Sequence, residues 1–392
     1  MKLFILHIIL FFAGNVAAQI PSYTHYETSD GIASNEIYSL KQDKQGFLWI
    51  GTDAGLMRYD GNSFQLFTCS KSRGNAMNNL AEDKQGRIWC TNFSGQVFYF
   101  NKDTLHLFEP FEKQYSKGFA EICIDPNNQL YVTNQKNYLF KYNLDNKKEE
   151  RLFANDIYKT NPAVATNGDI IFTSLDNGIL VKLNNKNVAE EIFIETNKNT
   201  LLKSSFFNQV VFSNSFLNKK TYAFQRVNSV NPTPRLFIYE NGLLIEHSSV
   251  TVLQANNAYP LSVFDDDKGN LFIGTNNGLL WLKETNNQWL VKSKFLVGNS
   301  ITTITKDVEG DYWIGTSKNG IYKLSNIDIN EFDVSKLNLK SAGVNHIAFN
   351  NKNILLGVNL SGEIFKINID NFNFKKLNAV ELRDAQTLCY NQ

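Results

Sequence analysis

The chain has 392 residues and a formal net charge of +1, with 43% hydrophobic and 13% aromatic residues. Acidic and basic residues are spread along it, which argues against a basic nucleic-acid-binding stripe and against an acidic disordered tail. The four cysteines are dispersed and match no zinc-binding spacing, and they are too few for a disulfide framework, although a single bridge stays open. They are Cys69, Cys90, Cys123 and Cys389.

The N-terminus has the features of a secretory signal. Lys2 supplies the positive charge, Leu3 to Phe12 is apolar apart from one histidine, and Val16 to Ala18 provides small residues at a cleavage site. The apolar core is short for a membrane span, so an uncleaved anchor is the weaker alternative. We therefore predict a signal peptide over residues 1–18 and export of the mature chain.

An isolated strand is predicted at Tyr23 to Glu27, and the first full repeat follows it. Its strands A to D are predicted at Ile37 to Gln42, Phe47 to Thr52, Leu56 to Tyr59 and Ser63 to Phe67. Strand B is apolar at nearly every position, which is typical of a strand buried on both faces. The turn between A and B starts with Asp, which accepts backbone N–H bonds, and ends with Gly, which tolerates positive φ.

The pattern of strand B returns about every 40 residues, a spacing typical of propeller blades. With Trp49 as the reference, the later copies are centred on Trp89, Tyr131, Ile171, Val211, Phe272, Trp313 and Leu355. The longer interval after Val211 is predicted to hold the outer strands of the fifth blade and a long loop over residues 228–234. The fold class predicted is all-β, a β-propeller of four-stranded antiparallel blades whose tryptophans pack blade against blade.

A ring of seven blades is favoured, over residues 19–324. The isolated strand near Tyr23 would then complete the last blade and remove an open sheet edge. Residues 325–392 would begin a second, truncated propeller, whereas the alternative is one eight-bladed ring through about Leu377. The predicted strand Ala385 to Cys389 has no partner after it, so we expect the chain to be a fragment of a longer protein.

No catalytic, metal or cofactor residue is assigned, and no cofactor is expected. The histidines lie singly in predicted strands, strand edges or the leader, and no hydrolase, zinc-protease or phosphate-loop motif is present. Ligand contacts are expected in the loops before strand A and between strands B and C. Asn35, Arg73 and Asn345 lie in such loops, but they are more simply explained as solvated turn residues, and no ligand-binding residue is assigned. The histidines are His7, His25, His106, His247 and His346.

The first repeat resembles a known family in three stretches: Asp30 to Asn35, Asp43 to Thr52 and Gly55 to Gly61. They are similar to the two-component regulator propeller, the periplasmic sensor region of bacterial sensor histidine kinases and hybrid two-component systems. The resemblance is good again in the sixth and seventh repeats and weak over residues 137–260. It implies a membrane-tethered, dimeric parent protein with a cytoplasmic kinase, and often a carbohydrate ligand.

Two functions follow from these expectations. The first is a periplasmic, non-catalytic module that senses a small molecule or oligosaccharide for a two-component histidine kinase and binds no nucleic acid. The alternative is a secreted propeller enzyme, a lyase or a glycoside hydrolase, because a fold does not fix a function.

Overall fold

The structure is a computed structural model with two units, Ser22–Ile327 and Met1–Pro21 together with Asp328–Gln392. It describes residues 20–21, 23–115, 118–134, 138–154, 162–173, 180–183, 189–195, 201–203, 210–215, 220–225, 235–246, 253, 259–285, 288–325, 330–331, 338–341, 343–349, 354–368 and 374–377. The predicted signal peptide, the loop 228–234 and the predicted strand Ala385 to Cys389 lie outside the described residues.

The unit Ser22–Ile327 consists of sheets built mainly of antiparallel strands A to D, which follow one another along the chain except in sheets 5 and 7. Sheet 1 contains Ile37–Gln42, Leu48–Thr52, Leu56–Tyr59 and Phe64–Phe67. Sheet 2 contains Met77–Glu82, Ile88–Asn92, Val97–Asn101 and Thr104–Leu107. Sheet 3 contains Ala120–Ile124, Gln129–Asn134, Tyr138–Asn143 and Glu149–Ala154. Sheet 4 contains Ala163–Val164, Ile170–Thr173, Leu180–Leu183 and Ala189–Glu191.

The remaining sheets of this unit include the largest one and the one that closes the ring. Sheet 5 runs from Val210–Ser215 through Lys220–Gln225, Arg235–Glu240, Leu243–Glu246 and Phe193–Glu195 to Leu201–Lys203. Sheet 6 contains Pro260–Asp265, Asn270–Thr275, Gly278–Thr285 and Gln288–Phe295. Sheet 7 contains Ile301–Lys306, Tyr312–Thr316, Ile321–Leu324 and Thr24–Tyr26. Two short helices, Thr28–Asp30 and Glu109–Tyr115, lie in connections between sheets.

Apolar side chains are buried at every junction between successive sheets in the described part of this unit. The cluster between sheets 1 and 2 contains Trp49 and Phe98, for example, and the cluster between sheets 7 and 1 contains Trp313 and Ile50. Corresponding clusters join sheets 2 to 7 in sequence. This unit is therefore nearly all β and built as a propeller, and its sheets are consistent with the favoured count of seven.

The isolated N-terminal strand completes sheet 7. Thr24–Tyr26 pairs antiparallel with Ile321–Leu324, the third strand of that sheet. The ring of Tyr26 stacks on Trp313 of sheet 7 at 5.8 Å and also contacts Phe64 of sheet 1 at 5.6 Å. The predicted closing strand is confirmed, and its aromatic residue joins the two ends of the ring.

The turn between strands A and B shows why Asp recurs there. Asp43 Oδ1 accepts the backbone N–H groups of Gln45 and Phe47, and Asp43 Oδ2 accepts the indole N–H of Trp49 at 2.7 Å. Gly46 has φ of 94°, as the turn chemistry predicts. The carboxylate thus fixes both the turn and the orientation of the buried tryptophan, a second role that the spacing alone did not indicate.

Sheet 5 corrects one assignment of the repeat. Val211 was expected in strand B, but Val210–Ser215 is the inner edge strand of the sheet and pairs only with Lys220–Gln225 among the described strands. Strand B is therefore Lys220–Gln225, and the predicted outer pair becomes strands C and D. The sheet also gains the hairpin Phe193–Glu195 and Leu201–Lys203, whose first strand runs parallel to Leu243–Glu246. The uniform repeat length was misleading because sheets 4 and 5 are joined by this insertion.

The second unit contains one four-stranded sheet among its described residues. Its strands are Val344–Phe349, Ile354–Asn359, Ile364–Asn368 and Phe374–Lys376, and Ile20–Pro21 pairs separately with Asn330–Glu331. By register, Leu356 rather than Leu355 occupies the position of Trp49.

Candidate functional site

The connections before strand A and those between strands B and C lie at the same end of each sheet, because consecutive strands are antiparallel. We call this the loop end of the propeller. Loops carried on a rigid β scaffold are common positions for binding residues. Two of the three loop residues considered above, Asn35 and Arg73, lie at this end, whereas Asn345 is an exposed residue of the separate unit.

Three aromatic side chains from three successive sheets meet at the loop end. The Tyr38 ring lies 4.8 Å from Phe93, and the Phe93 ring lies 5.5 Å from Phe119, measured between centroids. Phe93 is 43% exposed, a large value for a phenylalanine in contact with two other rings. We call these residues the aromatic patch. Such a surface can hold an apolar ring face of a ligand.

Two exposed carboxylates border the aromatic patch. Tyr38 Oη donates a 2.9 Å hydrogen bond to Glu36 Oε2, and the Asp53 N–H bonds the carbonyl of Glu36 at 3.2 Å. Burial and the hydrogen bond to Glu36 raise the pKa of Tyr38, and the charge of Asp53 adds to this effect. The phenol therefore stays protonated and donates to the carboxylate, while other carboxylate lone pairs are available to a ligand donor.

Arg73 and its neighbours form one side of the loop end. The Arg73 guanidinium pairs with Glu112 of the helix Glu109–Tyr115 and donates to the carbonyl of Ser94 at 3.3 Å. Lys71 pairs with Glu109 of the same helix at 2.6 Å. Both basic side chains are thus used to hold the helix against the connection from sheet 1 to sheet 2.

Asn35 is also held by hydrogen bonds within the protein. Its Oδ1 accepts the Thr28 N–H at 3.0 Å, and its carbonyl accepts the Gly320 N–H at 2.9 Å. These bonds join the N-terminal segment to sheet 7 at the closure of the ring. Asn35 therefore positions the connection that carries Glu36, and the amide oxygen is already engaged.

The three tryptophans of strand B cannot serve as ligand platforms. Trp49, Trp89 and Trp313 are at most 3% exposed and pack in the clusters between sheets. The prediction that they join blade to blade is confirmed. Cys90 is likewise a core thiol, fully buried, and burial raises its pKa.

A group of carboxylates at the opposite end of sheet 7 has an internal explanation. Asp307, Glu309 and Asp311 are close enough to share a cation. However, Asp307 accepts the Trp313 indole N–H at 2.8 Å, and Asp311 pairs with Lys323 at 2.7 Å. These bonds account for two of the three side chains, and the group is not assigned as a metal site.

The family model of the two component regulator propeller matches residues 31–54 and 296–318. The resemblance to two-component regulator propellers is confirmed. Both matches fall on repeats where the motif is dense, and the first contains Glu36, Tyr38 and Asp53. No curated protein matches the sequence.

Solved structures of similar fold include extracellular domains of hybrid two component systems from B. thetaiotaomicron. BT3049, assigned to the hybrid two component systems, has a TM-score of 0.64 at 18% identity over 92% of this chain and 49% of its own. BT4673, assigned likewise, has a TM-score of 0.56 at 17% identity over 93% and 47%. The chain therefore spans about half the length of these proteins, and at such identities the likeness shows the fold alone.

The same propeller fold also occurs in an enzyme. Virginiamycin B lyase from Staphylococcus aureus has a TM-score of 0.59 at 14% identity, covering 78% of this chain and 99% of the lyase. The fold thus fits both a sensor and a lyase, so the chemistry of the loop end must decide between them.

The sequence pointed to the loop end of this propeller but not to the residues of the aromatic patch. Tyr38 lies in strand A, Phe93 follows strand B of sheet 2, and Phe119 precedes strand A of sheet 3. Each of the three is an aromatic residue at or beside the end of a strand on the loop side. This common feature can be recognised in the sequence only when the repeats are aligned. In the described part of the chain, no helix is long and apolar enough to cross a membrane.

Proposed function

We propose that this chain is the ligand-sensing propeller of an exported two-component sensor, that it responds to carbohydrate, and that it has no catalytic step of its own. The observation that carries the proposal is the aromatic patch, placed at the loop end of a two-component regulator propeller. An exposed aromatic face beside carboxylate acceptors suits a sugar ring, which has an apolar C–H face and hydroxyl donors at its rim.

The proposed mechanism is a shift of populations. A saccharide bound at the aromatic patch would favour one arrangement of a homodimeric parent, and a cytoplasmic histidine kinase would respond to that arrangement. In this proposal residues 1–18 direct export, residues 19–324 form the first propeller and residues 325–392 begin the second. The parent is then tethered to the membrane with its propellers in the periplasm.

Binding assays test the sensing role. Purified chain is titrated with a panel of neutral and charged oligosaccharides by calorimetry, and Phe93→Ala is compared with Leu66→Ala, an exposed apolar residue outside the patch. We expect at least one saccharide to bind, about 5-fold more weakly to Phe93→Ala, because a stacked ring contributes about 1 kcal/mol. Unchanged binding by Phe93→Ala would remove the aromatic patch from the proposal.

A secreted lyase or glycoside hydrolase is the second candidate, favoured by the fold shared with virginiamycin B lyase. Such chemistry needs a positioned acid or base. At the loop end His25 lies 2.7 Å from the carbonyl of Asn319 and stacks on Tyr322, so its position is accounted for by ring closure. Chromatography of the same saccharides after incubation with the chain separates the two candidates, since product formation would establish an enzyme.

A further inference from the structure

The two carboxylates beside the aromatic patch have no basic partner. Among the described residues, no Lys, Arg or His nitrogen lies within 4.0 Å of Glu36 or Asp53. The nearby basic residues of the loop end are committed elsewhere, because Arg73 pairs with Glu112 and Lys71 with Glu109. At the loop end, the charges beside the helix Glu109–Tyr115 are thus paired, whereas the two carboxylates at the aromatic patch leave a net negative charge there.

The oxygens of these two carboxylates can bind ligand groups that donate hydrogen bonds. Ionised carboxylates only accept hydrogen bonds, and the one side-chain donor bound to Glu36 is the phenol of Tyr38. The remaining oxygen lone pairs face solvent, since both residues are exposed. An ammonium donor adds the attraction between opposite charges to the hydrogen bond, so an ammonium group is preferred over a hydroxyl.

The exposed ring of Phe93 points to the same ligand class independently of the carboxylates. A cation is attracted to the face of an aromatic ring when it lies within about 6 Å of the centroid. Phe93 presents 43% of its surface and belongs to a row of three rings, so a cation at the patch would meet aromatic faces as well as negative charge. An anionic ligand would be repelled by both features.

We infer that the aromatic patch, with Glu36 and Asp53, binds a protonated amine carried on a ring with an apolar face, an amino sugar. The ammonium group lies between the two carboxylates, and the sugar ring lies against Phe93. The saccharide part of the inference rests on the proposed function. The preference for a protonated amine rests on the charges and rings of the patch alone.

Three matched probes test this preference. The β-1,4-linked trimers of glucosamine, N-acetylglucosamine and glucose share one backbone and differ at C2, which carries an ammonium, a neutral amide or a hydroxyl group. Calorimetric titrations are run below neutral pH and at low salt. We expect the glucosamine trimer to bind about 10-fold more tightly than the glucose trimer, from one charge-assisted contact and one cation–π contact. Added salt weakens only the glucosamine trimer, because exposed charges are screened.

Matched variants connect the preference to the patch. Glu36→Gln and Asp53→Asn remove charge at nearly constant shape and keep one acceptor oxygen each. Each variant is expected to weaken the glucosamine trimer about 3- to 5-fold and the glucose trimer by a smaller factor. Asp103→Asn is the control, since Asp103 is an exposed carboxylate in the connection between strands C and D, paired with Arg58 away from the loop end. Circular dichroism of each variant verifies that the propeller is folded.

The outcomes separate this inference from the proposed function. Equal binding of all three trimers would overturn the amine preference and leave carbohydrate sensing standing. Spermidine is the additional probe: binding of spermidine and of the glucosamine trimer with equal affinity supports the amine preference and contradicts a saccharide ligand. Binding of neither amine overturns the inference, and binding of the glucosamine trimer that survives the double variant Glu36→Gln, Asp53→Asn overturns its location.

Discussion

The sheets of the propeller use the carboxylate near the A–B turn in two different ways. In sheets 1, 2 and 7 it accepts the indole N–H of a tryptophan in the same sheet, at 2.7 to 2.8 Å. In sheets 4 and 6 it accepts a tyrosine hydroxyl from a neighbouring sheet: Tyr239 bonds Asp169 at 2.6 Å, Tyr222 bonds Asp265 at 2.8 Å and Tyr312 bonds Asp266 at 2.8 Å. Sheet 3 combines the two arrangements, because Tyr131 Oη of the same sheet donates to Asp125 Oδ2 at 3.3 Å. A bond from a ring donor to the turn carboxylate is thus present in these six sheets, and the donor residue lies either within the sheet or across the junction.

This difference changes how visible the interaction is within one repeat of the sequence. Where the donor is in the same sheet, Asp and Trp stand six residues apart and the motif is visible in one repeat. Where the donor comes from a neighbouring sheet, the two residues are distant in sequence, as Asp169 and Tyr239 are. Sheet 4, one of the weak middle repeats, therefore keeps the interaction without the local motif.

The largest effect on stability is expected when a tryptophan that bonds the turn carboxylate of its own sheet is replaced by alanine. Trp49 is 2% exposed, contacts Phe100 of sheet 2 at 4.6 Å and donates to Asp43. Trp49→Ala is expected to lower the free energy of unfolding by about 3–5 kcal/mol through the cavity it leaves. Trp49→Phe keeps most of the ring but leaves Asp43 Oδ2 without a donor, at a cost of about 1–3 kcal/mol.

Denaturant unfolding followed by circular dichroism measures both variants. Leu66→Ala, at a side chain 42% exposed, is the control and is expected to change stability by less than about 0.5 kcal/mol. Equal losses for Trp49→Ala and Trp49→Phe would mean that the bond to Asp43, and not the packing between sheets, is the main contribution of Trp49.

The architecture was predictable from the sequence because strand alternation, Gly turns and the Trp49 pattern are local signals. The closing strand near Tyr26 was also predictable, since an unmatched strand at one end of a ring has one edge to pair with. Sheet 5 was not, because the hairpin at Phe193–Glu195 displaces strand B from Val211 to Lys220–Gln225. The position of the candidate site at the loop end followed from topology, whereas the meeting of Tyr38, Phe93 and Phe119 depends on contacts between three sheets.

The next largest effect on stability is expected at two adjacent carboxylates of sheet 6, Asp265 and Asp266. Their pKa values are shifted in opposite directions. Burial raises the pKa of Asp265 despite the bond from Tyr222. Burial also acts on Asp266, but hydrogen bonds from Asn270 and Tyr312 outweigh it and lower the pKa of that carboxyl. A raised pKa means that the folded state holds the proton more tightly, so the Asp265 contribution falls as pH rises through its titration. The Asp266 contribution is lost as pH falls through its lowered pKa.

Replacing each carboxylate singly by the corresponding amide separates the contributions of Asp265 and Asp266 to stability. Asp266→Asn is expected to lower the free energy of unfolding at neutral pH by about 1–3 kcal/mol, because the bonds to the charged carboxylate are lost. Asp265→Asn keeps an acceptor for Tyr222 and removes a charge that burial disfavours, so we expect it to be neutral or stabilising at neutral pH. Unfolding midpoints recorded from acidic to neutral pH test the signs, and a loss at Asp265 as large as at Asp266 contradicts the assignment.

The smallest effect is expected at the junction between sheets 4 and 5. Tyr239→Phe removes the hydroxyl bonded to Asp169, yet Asp169 is only partly buried and keeps the Asn167 side-chain amide as a donor at 2.9 Å. The expected loss is therefore about 1 kcal/mol, the net value of one hydrogen bond. Tyr222→Phe is the matched comparison, because its partner Asp265 is 4% exposed and loses its side-chain donor. A larger loss at Tyr222 than at Tyr239 would show that burial of the carboxylate sets the strength of these bonds, and equal losses would show that bond geometry sets it.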